Sequence, residues 1–237
     1  MTDVLCARSC VLGEDMRFIA YGIILSVAAL LIYDTNIGSS LSGQQNTEIG
    51  AAIACLCQCR LYKDSARARK IWQNNGFRHS RFYDGITRLA ARKRWDFAFY
   101  AYTPAFSHSH IFLGQSFWEV GTVGKASVIT HELGHIRRHE SRILGGFPRS
   151  MDEAFAYRHQ YDTYAQTGLG PFELESSLVF WDMMIGMQSY VLPRFPQYSG
   201  KSDILWAIDV LQRGDMNGEF PDNAGLLQPP GGTDYCR

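Results

Sequence analysis

Hydrophobic and polar positions alternate with two different periods along the chain, and they predict a mostly helical domain with a small sheet, which is an α+β fold class. Apolar residues recur at helical spacing in most segments after residue 43, whereas two short segments rich in aromatic and β-branched residues have the pattern of strands. The predicted strands cover about 96–102 and 111–118, and the predicted helices cover about 45–61, 64–75, 84–94, 125–140, 150–164, 172–191 and 203–213.

The N-terminal part has a different pattern, because Phe18–Tyr33 is apolar on all sides and contains no charge. A run of this kind predicts a signal peptide or a signal anchor within residues 1–42, followed by a single domain over 43–237. Arg8 and Arg17 precede the run, and no Lys or Arg follows until after Cys59. The positive-inside bias therefore predicts export, so that the domain is secreted, periplasmic or membrane-anchored outside the cytoplasm.

Composition narrows the class of protein. The chain has 237 residues, 46% of them hydrophobic, which is enough for one sizeable core. Its formal net charge is zero, so nothing favours nucleic acid as the principal partner. The membrane is an expected partner only through the apolar N-terminal segment, if that segment is not cleaved.

One pentapeptide carries the candidate chemistry, His131-Glu132-Leu133-Gly134-His135. Residues four apart lie on one face of a helix, so both imidazoles can bind one metal ion. Glu132 then faces the same pocket and is the candidate general base. The pattern predicts a zinc site in which His131 and His135 are ligands.

A catalytic zinc needs a third protein ligand and one open position. The metzincin pattern fails, since Arg138 and Ser141 stand where it requires Gly and His. Glu153, on the next predicted helix, is the favoured third ligand, and its neighbour Asp152 is the alternative. Ser150-x-x-Glu153 is also a capping box, in which Glu153 would only satisfy a backbone donor.

The pentapeptide followed by a helix with Glu153-Ala-Phe-Ala-Tyr157 resembles the zincin metallopeptidases, and most of all their gluzincin branch. The aspzincins, with an Asp as third ligand, are the second resemblance, although the spacing of Asp152 and Tyr157 departs from theirs. The resemblance covers about residues 95 to 167. It implies a zincin-like fold, an edge strand that binds extended peptide, a zinc cofactor, and cleavage of an amide in a protein or peptide substrate.

Further residues complete the predicted site. A donor to the oxyanion is needed opposite the metal, and Tyr157, one turn after Glu153, is the first candidate, followed by Tyr161 and His159. Carboxylates are expected to orient the two His ligands, and the candidates are Asp152, Glu140 and Asp162.

The cysteines can form disulfides if the domain is exported. Cys55, Cys57, Cys59 and Cys236 form an even set, so two disulfides are possible in an oxidising compartment. Their alternate spacing is not that of a zinc ribbon. The sequence predicts a zinc-dependent metalloendopeptidase; the alternative is a non-enzymatic interaction domain with a structural or vestigial zinc site.

Overall fold

The computed structural model describes residues 40–79, 98–102, 109–140, 149–168, 174 and 178–213. These residues are mostly helical, with one small sheet, as the hydrophobic pattern predicts. Within the described ranges, no helix is long and apolar enough to cross a membrane. The apolar segment 18–33, the predicted helix 84–94 and the tail after Arg213 lie outside these ranges.

Two helices begin the described chain. Helix α1 spans Gly43–Gln58 and starts with a capping box, in which Ser42 and Gln45 each bond the backbone of the other. Helix α2 spans Tyr62–Gln73. The two helices pack through apolar residues, and the indole of Trp72 donates to Asn46 at 3.0 Å.

The sheet has three short strands, β1 (Phe77–His79), β2 (Ala98–Tyr102) and β3 (His110–Leu113). Strand β3 is central, with β1 parallel on one side and β2 antiparallel on the other. Its residues Ile111, Phe112 and Leu113 are buried, which makes it the core strand of the sheet.

The two longest helices follow, α4 (Thr122–Glu140) and α5 (Arg149–Thr167), after a short helix α3 (Gln115–Glu119). Helices α4 and α5 cross at Gly134, where an added Cβ would lie only 2.8 Å from the Cα of Ala156. A side chain at this position would force the backbones apart. The glycine in the pentapeptide therefore permits the close approach of the two helices that carry the candidate site.

The C-terminal half covers this pair. Helix α6 (Leu178–Gly186) continues as a π-helical turn, Met187–Val191, and a 3₁₀ turn at Pro196–Tyr198 leads to helix α7 (Ser202–Arg213). Helix α6 is apolar on nearly all sides, and its buried residues include Phe180, Trp181 and Met184. They join the core that α1 and α4 form with the sheet.

Most predicted element positions are within a few residues of the structure, but the extent of one predicted strand is wrong. The strand predicted over 111–118 ends at Leu113, because Gly114 begins the short helix α3, which buries Phe117. Helix α4 begins at Thr122, three residues before the predicted start, and Ser127 is fully buried within it.

The cysteine prediction also needs correction. Cys59 is disulfide-bonded, whereas Cys55 is a buried thiol and Cys57 an exposed thiol. Since two members of the predicted set of four are thiols, that set does not form two disulfides. Side chains at alternate helical positions point in different directions, which separates Cys57 from its neighbours.

Candidate metal centre

His131 and His135 lie on one face of α4, as their spacing predicts. Their Nε2 atoms are 3.2 Å apart, and the rings meet edge to face with centroids 4.9 Å apart. Both side chains are only about a tenth exposed, 12% for His131 and 11% for His135. The two imidazoles therefore present their Nε2 atoms to one small, partly enclosed space.

The opposite nitrogen of each imidazole is held by α5. The Oδ2 atom of Asp152 lies 2.9 Å from Nδ1 of His135, and Oε1 of Gln160 lies 3.2 Å from Nδ1 of His131. The Gln160 amide in turn donates to the hydroxyl of Ser127 at 2.9 Å. Because Asp152 and Gln160 offer acceptor oxygens, the Nδ1 atoms carry the protons when the rings are neutral. Each Nε2 then has a lone pair available for a metal.

Glu153 faces the same space from the first turns of α5. Its Oε2 atom is 3.6 Å from Nε2 of His131 and 3.7 Å from Nε2 of His135. Together with the 3.2 Å between the imidazoles, these distances form a triangle whose corners lie about 2.0 Å from one common point. One carboxylate and two imidazoles on two helices are thus arranged around a position that a metal ion can occupy.

The position of Ser150 bears on the capping-box alternative for Glu153. Helix α5 already begins at Arg149, so Ser150 lies within its first turn, one residue after its first. The Ser150 hydroxyl accepts a hydrogen bond from Arg194 at 2.9 Å. Glu153 contacts the imidazoles, which a pure capping role does not require.

Glu132 is buried, with 5% of its surface exposed, beside the two histidines. Ligand atoms of His131, Glu132 and His135 all lie within 4.8 Å of one another, so these three form a possible metal-binding group. Burial raises the pKa of Glu132, against the opposing effect of the nearby imidazoles, while the charge of Glu153 raises it further. A carboxyl group with a raised pKa is suited to accept and release a proton near neutral pH.

His135 is surrounded by negative charge. Burial alone would lower its pKa, but the hydrogen bond to Asp152 and the charges of Glu132 and Glu153 together raise the pKa to about 9. Without a metal, therefore, His135 carries a proton at neutral pH, and its positive charge offsets that of the neighbouring carboxylates. A divalent cation would replace that proton.

Tyr157 lies one turn after Glu153, and its ring packs against His131 with centroids 4.4 Å apart. Gly186 leaves the space for this ring, because an added Cβ there would lie 2.4 Å from its atoms. The hydroxyl donates to Asp182 at 3.2 Å, and Tyr190, on the π-helical turn, stacks parallel to the ring. Burial and the charge of Asp182 raise the pKa of Tyr157, so its hydroxyl keeps its proton.

The other predicted donors lie elsewhere. The Tyr161 hydroxyl donates to both carboxylate oxygens of Asp203, and His159 lies 3.1 Å from Asp64, an ion pair when it is protonated. Of the candidate orienting carboxylates, Asp152 contacts a histidine of the pair, and Asp162 instead accepts from Tyr198 at 2.7 Å. The side chain of Glu140 is outside the described part of the structure.

Sequence reasoning missed the partners Gln160, Ser127, Asp182 and Tyr190. Gln160 shares a helical face with Glu153, which was a usable signal, since both lie on the side of α5 that faces α4. Asp182 and Tyr190 carry no local signal, because only the packing of α6 and the π-helical turn on α5 brings them to the site. The chain matches no protein-family model, no curated protein and no solved structure.

Proposed function

We propose that the protein is a zinc-dependent metallopeptidase that hydrolyses peptide bonds in a protein or peptide substrate. The observation that carries the proposal is the triangle formed by Nε2 of His131, Nε2 of His135 and Oε2 of Glu153. Zinc binds imidazole nitrogens and carboxylate oxygens at about 2.0 to 2.2 Å, and the three atoms surround a point at that distance. Two histidines and one glutamate are also the ligand set of the gluzincin branch that the sequence resembles.

The residues around these ligands support a catalytic ion. Three protein ligands leave one position of a tetrahedron open, whereas structural zinc sites are usually closed by a fourth protein ligand. Asp152 and Gln160 fix the orientation of the imidazoles from behind, as partners of zinc-bound histidines usually do. When bound, zinc would supply positive charge that polarises a carbonyl and lowers the pKa of a water molecule.

Glu132 is proposed as the general base and later the general acid. Its carboxylate lies in the same buried space as the ligands, and its raised pKa places proton uptake closer to neutral pH. It would accept the proton of the attacking water and transfer it to the leaving nitrogen. No other described carboxylate is as deeply buried beside both histidines.

Tyr157 is proposed as the donor to the developing oxyanion. Its ring already contacts His131, and the raised pKa keeps its hydroxyl protonated. In the structure this hydroxyl donates to Asp182, so donation to a substrate would require it to exchange one acceptor for another. Asp182 then acts as the acceptor that holds the hydroxyl between turnovers.

The test is Glu132→Gln in the full-length chain, assayed on an unfolded protein substrate with peptide products identified by mass spectrometry. The amide keeps the shape of the side chain and cannot accept a proton, so hydrolysis should fall by at least the 10²- to 10⁴-fold typical of general base catalysis while zinc stays bound. Glu119→Gln, on an exposed position of α3, is the matched control and should retain activity. If Glu132→Gln kept wild-type turnover, the assigned base would be wrong. If the wild-type protein held zinc and hydrolysed nothing, a structural zinc site in an interaction domain would replace the enzyme.

We also propose that this domain acts outside the cytoplasm, with the segment before residue 43 as signal peptide or anchor. The support is the sequence pattern of the apolar run and of the positive charges before it. A reporter enzyme that is active only after export, fused after Ser42, should give a signal. A signal confined to a reporter that is active only in the cytoplasm would contradict the proposal.

A further inference from the structure

A second concave site lies between the same two long helices. Next to the crossing point at Gly134, a cavity of about 250 Å³ opens to solvent. Its wall contains three arginines and a histidine but a single carboxylate; the lining residues are Gly134, Arg137, Arg138, Phe155, Arg158, His159 and Asp162. None of these residues belongs to the proposed metal centre.

Aromatic rings hold two of the guanidinium groups in place. Arg138 lies over the ring of Phe155, with its Cζ 4.0 Å from the ring centroid, and Arg158 is 5.8 Å from the same centroid. Arg158 also lies 5.0 Å from the ring of Phe195, which contacts Phe155 edge to face. Guanidinium groups that stack on rings keep their N–H donors directed sideways and lose less side-chain freedom when they bind a ligand.

The carboxylates near the cavity are already engaged. Asp162 accepts from Tyr198 and pairs with Arg158 at 3.7 Å, and Asp64 lies 3.1 Å from His159. Positive charge is therefore in excess along the described lining. Burial and the charge of Arg137 both lower the pKa of Arg67, which indicates that these two guanidinium groups repel each other.

A purely structural role explains only part of this arrangement. Basic residues near the C-terminal end of α4 interact favourably with the helix dipole, and this accounts for the presence of Arg137 and Arg138. Arg158 on α5 has structural partners of its own, Asp162 and the ring of Phe195, but it also brings a cation from the second helix into the same cavity. Convergence of guanidinium groups from two helices on one concave surface is the arrangement that binds oxyanions, because each planar fork can donate two parallel hydrogen bonds.

We infer that the cavity lined by Arg137, Arg138 and Arg158 binds a phosphate group, either as free phosphate or as part of a phosphorylated peptide. Arg137 and Arg158 are the accessible donors, since Arg137 is exposed and the Arg158 side chain is 38% exposed. The volume is sufficient for a phosphate group and a few water molecules. The site is independent of the proposed zinc chemistry, although both are built on α4 and α5.

The experiment is a calorimetric titration of the full-length, chelator-treated protein with inorganic phosphate, and in parallel with phosphoserine and with glutamate, at constant ionic strength. Metal is removed first so that the measured binding is not binding of phosphate to a metal ion in the metal centre. Saturable binding of inorganic phosphate is expected, and its affinity should fall at least tenfold in Arg137→Gln and in Arg158→Gln. Tighter binding of phosphoserine than of phosphate would identify a phosphorylated peptide as the source, and equal binding would identify free phosphate.

Arg213→Gln is the matched control, because Arg213 is an exposed arginine of α7 that pairs only with Asp209 among the described contacts. It should bind phosphate as the wild-type protein does. Circular dichroism establishes that each variant is folded before it is titrated, and a variant that does not fold is replaced by Lys at the same position, which keeps the charge but loses the fork. Absence of saturable phosphate binding to the wild-type protein, or equal affinity in all variants, would overturn the inference. So would glutamate binding as tightly as phosphate.

Discussion

Replacing Glu153 and Asp152 separately tests the assignment of roles within the metal centre. The two carboxylates are neighbours on α5, yet they contact different atoms. Glu153 lies 3.6 and 3.7 Å from the two Nε2 atoms, and Asp152 lies 2.9 Å from Nδ1 of His135. Glu153→Gln therefore removes a charged ligand, whereas Asp152→Asn only weakens the partner of a ligand and leaves an amide oxygen that can still accept from Nδ1.

The expected magnitudes differ enough to be measured. Loss of a hydrogen-bond partner behind a metal ligand typically costs 10- to 100-fold in affinity, about 1.4 to 2.7 kcal/mol, and Asp152→Asn should fall in this range. Glu153→Gln should exceed it, because the neutral amide is a poor ligand and leaves only two imidazoles on the metal. The order of the two effects, with Glu153→Gln the larger, is the prediction.

The assay is competition of each variant with a fluorescent zinc chelator at fixed pH. The control is Glu119→Gln, which removes an exposed carboxylate away from the metal centre. Glu48 is less suitable for this purpose because it pairs with the buried Lys125 at 3.2 Å. A large loss for Asp152→Asn with none for Glu153→Gln would refute the assignment. It would make Asp152 the third ligand and favour the aspzincin alternative over the gluzincin one.

Two further predictions concern pH and helix packing. Because the pKa of His135 in the folded, metal-free protein is about 9 and its ordinary value is 6.5, protonated His135 stabilises the fold fully below about pH 6.5. This contribution to the free energy of unfolding, about 3 kcal/mol, is lost as the pH rises to about 9, and zinc affinity should rise over the same interval. Urea unfolding with and without zinc measures both the stability and the zinc affinity. A metal-free stability that is constant from about pH 6 to 9 would contradict the prediction. Gly134→Ala should destabilise the protein by about 1 to 3 kcal/mol, since its Cβ would meet the Cα of Ala156 at 2.8 Å. The control is Gly121→Ala, where nothing lies within 4 Å, and equal thermal midpoints for the two variants would contradict close packing at the crossing.

Local sequence signals were sufficient for the residues of α4. The spacing of His131 and His135 is a property of one helix, so it predicted that the two imidazoles share a face before any packing was known. The mostly helical fold with a small sheet followed in the same way from periodicity. Helix α1 begins at Gly43, two residues before the predicted start at about 45, because helix ends depend on individual caps.

Long-range contacts were the part that sequence could not supply. Whether Glu153 or Asp152 faces the imidazoles depends on the rotation of α5 against α4, which the close crossing at Gly134 and Ala156 sets. Likewise Asp182 reaches Tyr157 only because α6 packs on α5 and Gly186 leaves room for the ring. The short helix after Leu113 was mistaken for strand because adjacent aromatic residues at 117 and 118 fit neither period well.

The amount of zinc bound by the purified protein tests the central proposal most directly. The two imidazoles and the Glu153 carboxylate surround one position with ligand separations suited to zinc, so the full-length chain should bind about one zinc ion per molecule. Metal analysis after exposure to zinc and removal of the excess gives this number, and His135→Ala should reduce it. Less than about a tenth of an equivalent in the folded wild-type protein would contradict the metal centre and, with it, the proposed metallopeptidase.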